Sequence, residues 1–131
     1  MLDMNDILDR NKRNVLAFYT RVFNDCEPRE AVNQFVGQEY IQHNPIVADG
    51  KEPFIQYFEK MGQEWPGKQI FFERVIAEDN LVVVHCRQEW PGDDQYATID
   101  IFRVDDGGKI VEHWDVMQVV PVESKHNNTM F

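Results

Sequence analysis

The chain has 131 residues, 43% of them hydrophobic, which suffices for one domain with a sizeable core and is short for two. Its net charge of -10, with no basic patch, argues against nucleic acid and against an anionic membrane as partners. No apolar run nears membrane-spanning length and the start, Met1 to Asp6, lacks a signal-peptide pattern, so a single cytoplasmic domain over residues 1–131 is expected.

From about Asp6 to Asn24, Leu8, Val15, Phe18, Tyr19, Val22 and Phe23 recur at three- and four-residue spacing, with Arg10, Lys12, Arg13 and Arg21 between them. This predicts an amphipathic helix. Pro28 suits the first turn of a second helix with Ala31, Val32, Phe35 and Val36 inward, and Gly37 is its expected stop. Gln38 to Pro45 reads as a short extended piece, because a residue before proline is pushed out of the helical region. After a polar loop to Gly50, a third helix is expected from Lys51 to Gln63, with Phe54, Ile55, Phe58 and Met61 on its inner face.

The pattern then changes. Gln69–Ala77, Leu81–Trp90, Tyr96–Val104 and Ile110–Val120 alternate or run apolar between turn clusters, which predicts a four-strand antiparallel meander followed by a polar tail from about residue 123. Helices first and sheet second is an α+β order, with helices packed on one face of a curved antiparallel sheet. Cys26 and Cys86 show no metal-ligand spacing and read as reduced thiols.

Asp100 interrupts the apolar strand Tyr96–Val104 and asks for a reason. If Asp105-Asp106-Gly107-Gly108 is the turn, Val104 faces Lys109 and Asp100 lies opposite His113. If Pro91 to Asp94 is the preceding turn, Trp90 faces Gln95 and His85 also lies opposite Asp100. One sheet face would then carry His85, Asp100 and His113 in a row, and a one-residue slip in either hairpin would dissolve it.

Tyr40-Ile41-Gln42-His43-Asn44-Pro45 with Asp49-Gly50, then Asp100 to Val104 with Gly108-Lys109-Ile110-Val111-Glu112-His113-Trp114-Asp115-Val116, resemble the SnoaL-like branch of the NTF2-like superfamily. The resemblance implies an α+β cone with a deep pocket, frequently dimeric through the outer sheet face. It also implies aldol cyclisation without metal or organic cofactor, with Asp100 matching the general acid/base and His85 matching a pocket histidine. Because the superfamily includes pure binding modules, a non-catalytic small-ligand or dimerisation module is the alternative.

On chemistry, Asp100 is either an acid/base raised by an apolar pocket or a structural carboxylate held by its neighbours. His85 and His113 either tune Asp100 and polarise a substrate carbonyl or are satisfied core histidines. His43 and Asn44 either bind substrate oxygens at the rim or lock the loop before Pro45. Tyr19, Phe23 and Phe58 belong to the helix-sheet core, from which any pocket lining for a small hydrophobic or carbonyl-containing ligand must be drawn. No metal is expected, since the histidines lack ligand spacing and a row offers no tetrahedral set. Phosphate-loop and covalent-nucleophile motifs are absent from the sequence.

Overall fold

The protein is described by a computed structural model covering residues 2–131. Helix α1 spans Met4–Tyr19, opened by Asp3, whose carboxylate accepts the Asp6 amide at 2.8 Å. It continues as one π-helical turn, Thr20–Asn24. Helix α2 (Pro28–Phe35) begins on its proline, strand β1 follows at once (Val36–Gln42), and helix α3 spans Lys51–Glu64. Strands β2 (Gln69–Glu78), β3 (Leu81–Glu89), β4 (Gln95–Val104) and β5 (Ile110–Val119) complete the chain. Among the described residues no helix is long and apolar enough to cross a membrane.

The sheet has the order β1-β5-β4-β3-β2. Strands β2 to β5 form the expected antiparallel meander, whereas β1 pairs parallel to β5 and makes the sheet mixed and five-stranded. The expected helix stop at Gly37 is therefore a strand position. Its need for glycine is one of close approach: a Cβ there would sit 2.8 Å from Val111 Cγ1 and 3.0 Å from Asp105 Oδ2. The helices cover one sheet face, and Phe18, wholly buried, anchors the interface against Phe54 (5.6 Å between centroids) and the edge of Phe102 (6.3 Å).

Register decides which side chains meet. Between β3 and β4 the connection holds five residues, Trp90 to Asp94, because Glu89 pairs with Gln95. That is one residue more than Pro91 to Asp94 alone, and it shifts every pairing by one. His85 then faces Ile99 and points to the outer side of the sheet. Between β4 and β5 the connection is also five residues, since Val104 pairs with Ile110, and a bulge at Val111 adds a second shift so that Arg103 pairs with Glu112. Two shifts restore the face. His113 lies opposite Phe102 rather than Asp100, yet shares the inner face with it, and the residue opposite Asp100 is Asp115.

Candidate active site

Asp100 is fully buried in the middle of β4 and accepts three hydrogen bonds or contacts. The Tyr19 hydroxyl donates to Oδ1 at 2.6 Å, the Thr98 hydroxyl donates to Oδ2 at 2.8 Å, and His113 Nε2 lies 2.8 Å from Oδ1. Tyr19 can reach because it ends α1, directly over the sheet, where the π-helical turn begins. Burial first, and the Asp100 charge second, raise the Tyr19 phenol well above its ordinary value, so it remains a donor.

The tautomer of His113 follows from its other neighbour. Gln42 Oε1 accepts the backbone amides of His43 and Asn44, each at 3.1 Å, which identifies it as the oxygen. His113 Nδ1, 2.8 Å from that oxygen, must donate to it. Nε2 is left facing Asp100 Oδ1 at 2.8 Å and the Tyr19 hydroxyl at 3.1 Å.

Asp115 completes the cluster from the cavity side. It stands directly across from Asp100, a like-charge pairing that a sheet does not favour unless something intervenes. His113 intervenes, its Nε2 being 2.8 Å from Asp100 and 3.9 Å from Asp115. Asn44 Nδ2 donates to both Asp115 oxygens, at 2.9 and 3.1 Å. Burial, opposed by His113 and reinforced by the Asp100 charge, raises the Asp115 carboxyl above the usual range. The Asp100, His113 and Asp115 ligand atoms lie within 4.8 Å of one another, so they form a cluster rather than the expected line. Donors from Tyr19 and Thr98 reach the two Asp100 oxygens and Asn44 reaches both Asp115 oxygens, with His113 beside Asp100 Oδ1.

A cavity of about 50 Å³ opens onto this cluster. Its polar lining includes Tyr19, Gln42, Asn44, His113 and Asp115, and its apolar lining includes Phe23, Phe54, Phe58 and Trp90. Asp100 lies behind that lining. A larger depression of about 260 Å³ on the outer sheet face, beside His85, Ile99, Val116 and Met130, has no acid/base cluster. The inner cavity is therefore the candidate site, although it is the smaller.

Two expected site residues lie elsewhere. His85 stands on the outer face, with Nδ1 3.0 Å from Arg74 Nη1 and its ring 6.0 Å from that of Phe131. The one-residue shift at Trp90 is the cause. His43 turns away from the cavity, stacks on Trp114 at 4.9 Å and meets Glu112 at 2.7 Å. Asn44 does both things its position allows: Oδ1 accepts the Ile46 amide at 2.9 Å, locking the loop, while Nδ2 holds Asp115.

Sequence reasoning passes over Asp115, Gln42 and Thr98 as site residues. Asp115 has a readable signal, since it follows His113 by two and must share its face. Gln42 has none, because its place beside His113 depends on the parallel β1–β5 pairing.

Residues 15–113 match the SnoaL-like domain. The chain belongs to this SnoaL-like family. Solved structures with the same SnoaL-like fold include TsrD from Streptomyces laurentii, at 19% identity over 89% of this chain and 91% of the other, TM-score 0.69. A candidate polyketide cyclase from Bacillus cereus superposes with TM-score 0.74 at 19% identity, covering 88% of this chain and 78% of the other. An epoxide hydrolase from M. tuberculosis superposes with TM-score 0.69 at 19% identity, covering 85% and 84%. No curated protein matches the chain in sequence.

Proposed function

We propose that this SnoaL-like protein is an acid/base enzyme acting on a small, largely apolar carbonyl compound, without a cofactor. The observation that carries the reading is the buried Asp100–His113–Asp115 cluster, with Asp115 facing an aromatic-lined cavity and Asp100 behind. Asp115 takes a proton from a carbon beside the carbonyl, or from water. The Tyr19 hydroxyl and the His113 imidazole then stand beside the developing charge, and the Asp100–His113 pair supplies the positive charge or proton that offsets it. Two opposed carboxyls with one imidazole between them can return the proton to a different atom, which is what isomerisation, aldol ring closure and hydration share. The names of the structural neighbours, a candidate cyclase and an epoxide hydrolase, agree with that range.

The cavity's small volume also suits a protein that holds a small ligand without turning it over. Exchange from heavy water into a panel of small 1,3-dicarbonyl compounds, followed by proton NMR, separates the two readings. Catalysed exchange that falls by about 100-fold or more in folded Asp115→Asn and Asp100→Asn variants supports the enzyme. Ligand binding with no exchange by the parent chain supports the binding module.

Assembly is part of the same proposal. Ile99 and Val116 leave an apolar outer sheet face 38% and 70% exposed, and two copies joined through it would cover them. Sedimentation equilibrium should give twice the chain mass; a monomer at every concentration would reject this.

A further inference from the structure

Lys68, in the turn between α3 and β2, is fully buried. Among the described residues its Nζ has a single hydrogen-bond partner, Cys26 Sγ at 3.3 Å, and no carboxylate forms an ion pair with it. The Phe23 ring lies 5.4 Å away. A buried amine is ordinarily matched by a carboxylate, so a thiol in that place is a chemical choice. Cys26 adopts a left-handed backbone (φ 56°), a conformation that favours glycine and asparagine. Gly62 of α3 makes the space, since a Cβ there would lie 3.3 Å from Cys26 Cβ. Cys26 is partly exposed while Lys68, whose amine touches its sulfur, is fully buried.

We propose that Cys26 and Lys68 form an oxidative modification site at which peroxide is the oxidant and a sulfur–nitrogen cross-link is the product. In the first step the peroxide O–O bond breaks, an S–O bond forms, sulfur is oxidised by two electrons to the sulfenic acid, and one water leaves. In the second, Lys68 Nζ attacks sulfur, the S–O bond breaks and the hydroxyl departs as water with a proton from nitrogen. An amine that begins as ammonium releases one further proton to solvent. This condensation changes no oxidation state and needs no second oxidant. The 3.3 Å contact makes it intramolecular, which favours it over further oxidation. The link ties the end of the π-helical turn to the start of β2 immediately behind Phe23, a residue of the cavity wall.

The test uses the full chain carrying Cys86→Ala, which removes the other thiol and with it any disulfide of equal mass. Hydrogen peroxide should lower the intact mass by about 2 Da, reversibly with dithiothreitol, and a non-reducing tryptic digest should show the Cys26 peptide joined through Lys68 with cleavage after Lys68 lost. Adding Lys68→Met, close in volume and uncharged, should abolish the cross-link and leave gains of about 16 or 32 Da on the sulfur of Cys26 instead, read on its peptide so that methionine oxidation is counted apart. A Cys26 that merely gains oxygen in the chain with Lys68, or a Cys26 cross-link that survives Lys68→Met, overturns the proposal. If Lys68→Met does not fold, the peptide map of the Cys86→Ala chain decides alone: a Cys26–Lys68 link supports the proposal and its absence overturns it.

Discussion

Tyr19→Phe isolates one hydroxyl of the buried cluster. The substitution keeps the ring, its edge contact with Phe102 at 4.9 Å and the helix that carries it, and removes the 2.6 Å donation to Asp100 Oδ1. That distance falls in the range of charge-assisted O–H···O bonds, and hydrogen bonds to charged groups contribute about 1.5–3 kcal/mol. Asp100 keeps Thr98 and His113, so the middle of that range, about 2 kcal/mol, is the expected loss. With an unfolding entropy of about 2.1 cal/mol/K per residue, a chain of this length should melt about 7 °C lower. Urea and thermal unfolding of the parent, Tyr19→Phe, Asp100→Asn and the double variant give the coupling directly, expected at about 1–2 kcal/mol. A Tyr19→Phe cost below about 0.5 kcal/mol, or additive single variants, would show that the hydroxyl does not serve Asp100.

The same chemical change at Tyr40 should behave differently. Its hydroxyl is buried with no hydrogen-bond partner among the described residues, so Tyr40→Phe should leave stability within about 0.5 kcal/mol or raise it, as chemical denaturation will show. Gly37→Ala should destabilise by about 1–3 kcal/mol, because the new methyl must displace Val111 or lift β1 from β5; an unchanged urea midpoint would contradict the close approach. Asp115→Asn should change the pH dependence of stability with a defined sign. A carboxyl raised above its ordinary 3.8 binds more protons in the native than in the unfolded state, so its contribution is complete below pH 3.8 and is lost as pH rises through the raised value. The variant should therefore gain on the parent between acid and neutral pH, and a constant difference across that interval would refute the assignment.

The hairpin turns and the helix periodicities are legible in the sequence, and they deliver the helices, the meander and the shared inner face of Asp100 and His113, but not the register that pairs Asp100 with Asp115. What decides the remainder is parity. Both hairpins have five-residue connections where four-residue turns are the natural reading, and a single shift sends His85 outside. In the second hairpin the bulge at Val111 adds another shift and keeps His113 inside. No local signal announces a bulge, which depends on how β4 and β5 twist together. The parallel seat of β1 is equally hidden, because it joins segments some seventy residues apart, and it alone brings Gln42 and Asn44 to His113 and Asp115. Asp115 is the residue that alternation from His113 does reveal.

The proposed role of Asp115 as the proton carrier that faces the cavity is tested most directly by carbon-13 NMR of aspartate carboxyls through a pH titration. One resonance, absent from Asp115→Asn, should titrate above the ordinary aspartate range, and its titration should move in Asp100→Asn because that neighbour's charge reinforces the shift. An Asp115 carboxyl that titrates with the surface aspartates, indifferent to Asp100, would contradict that role.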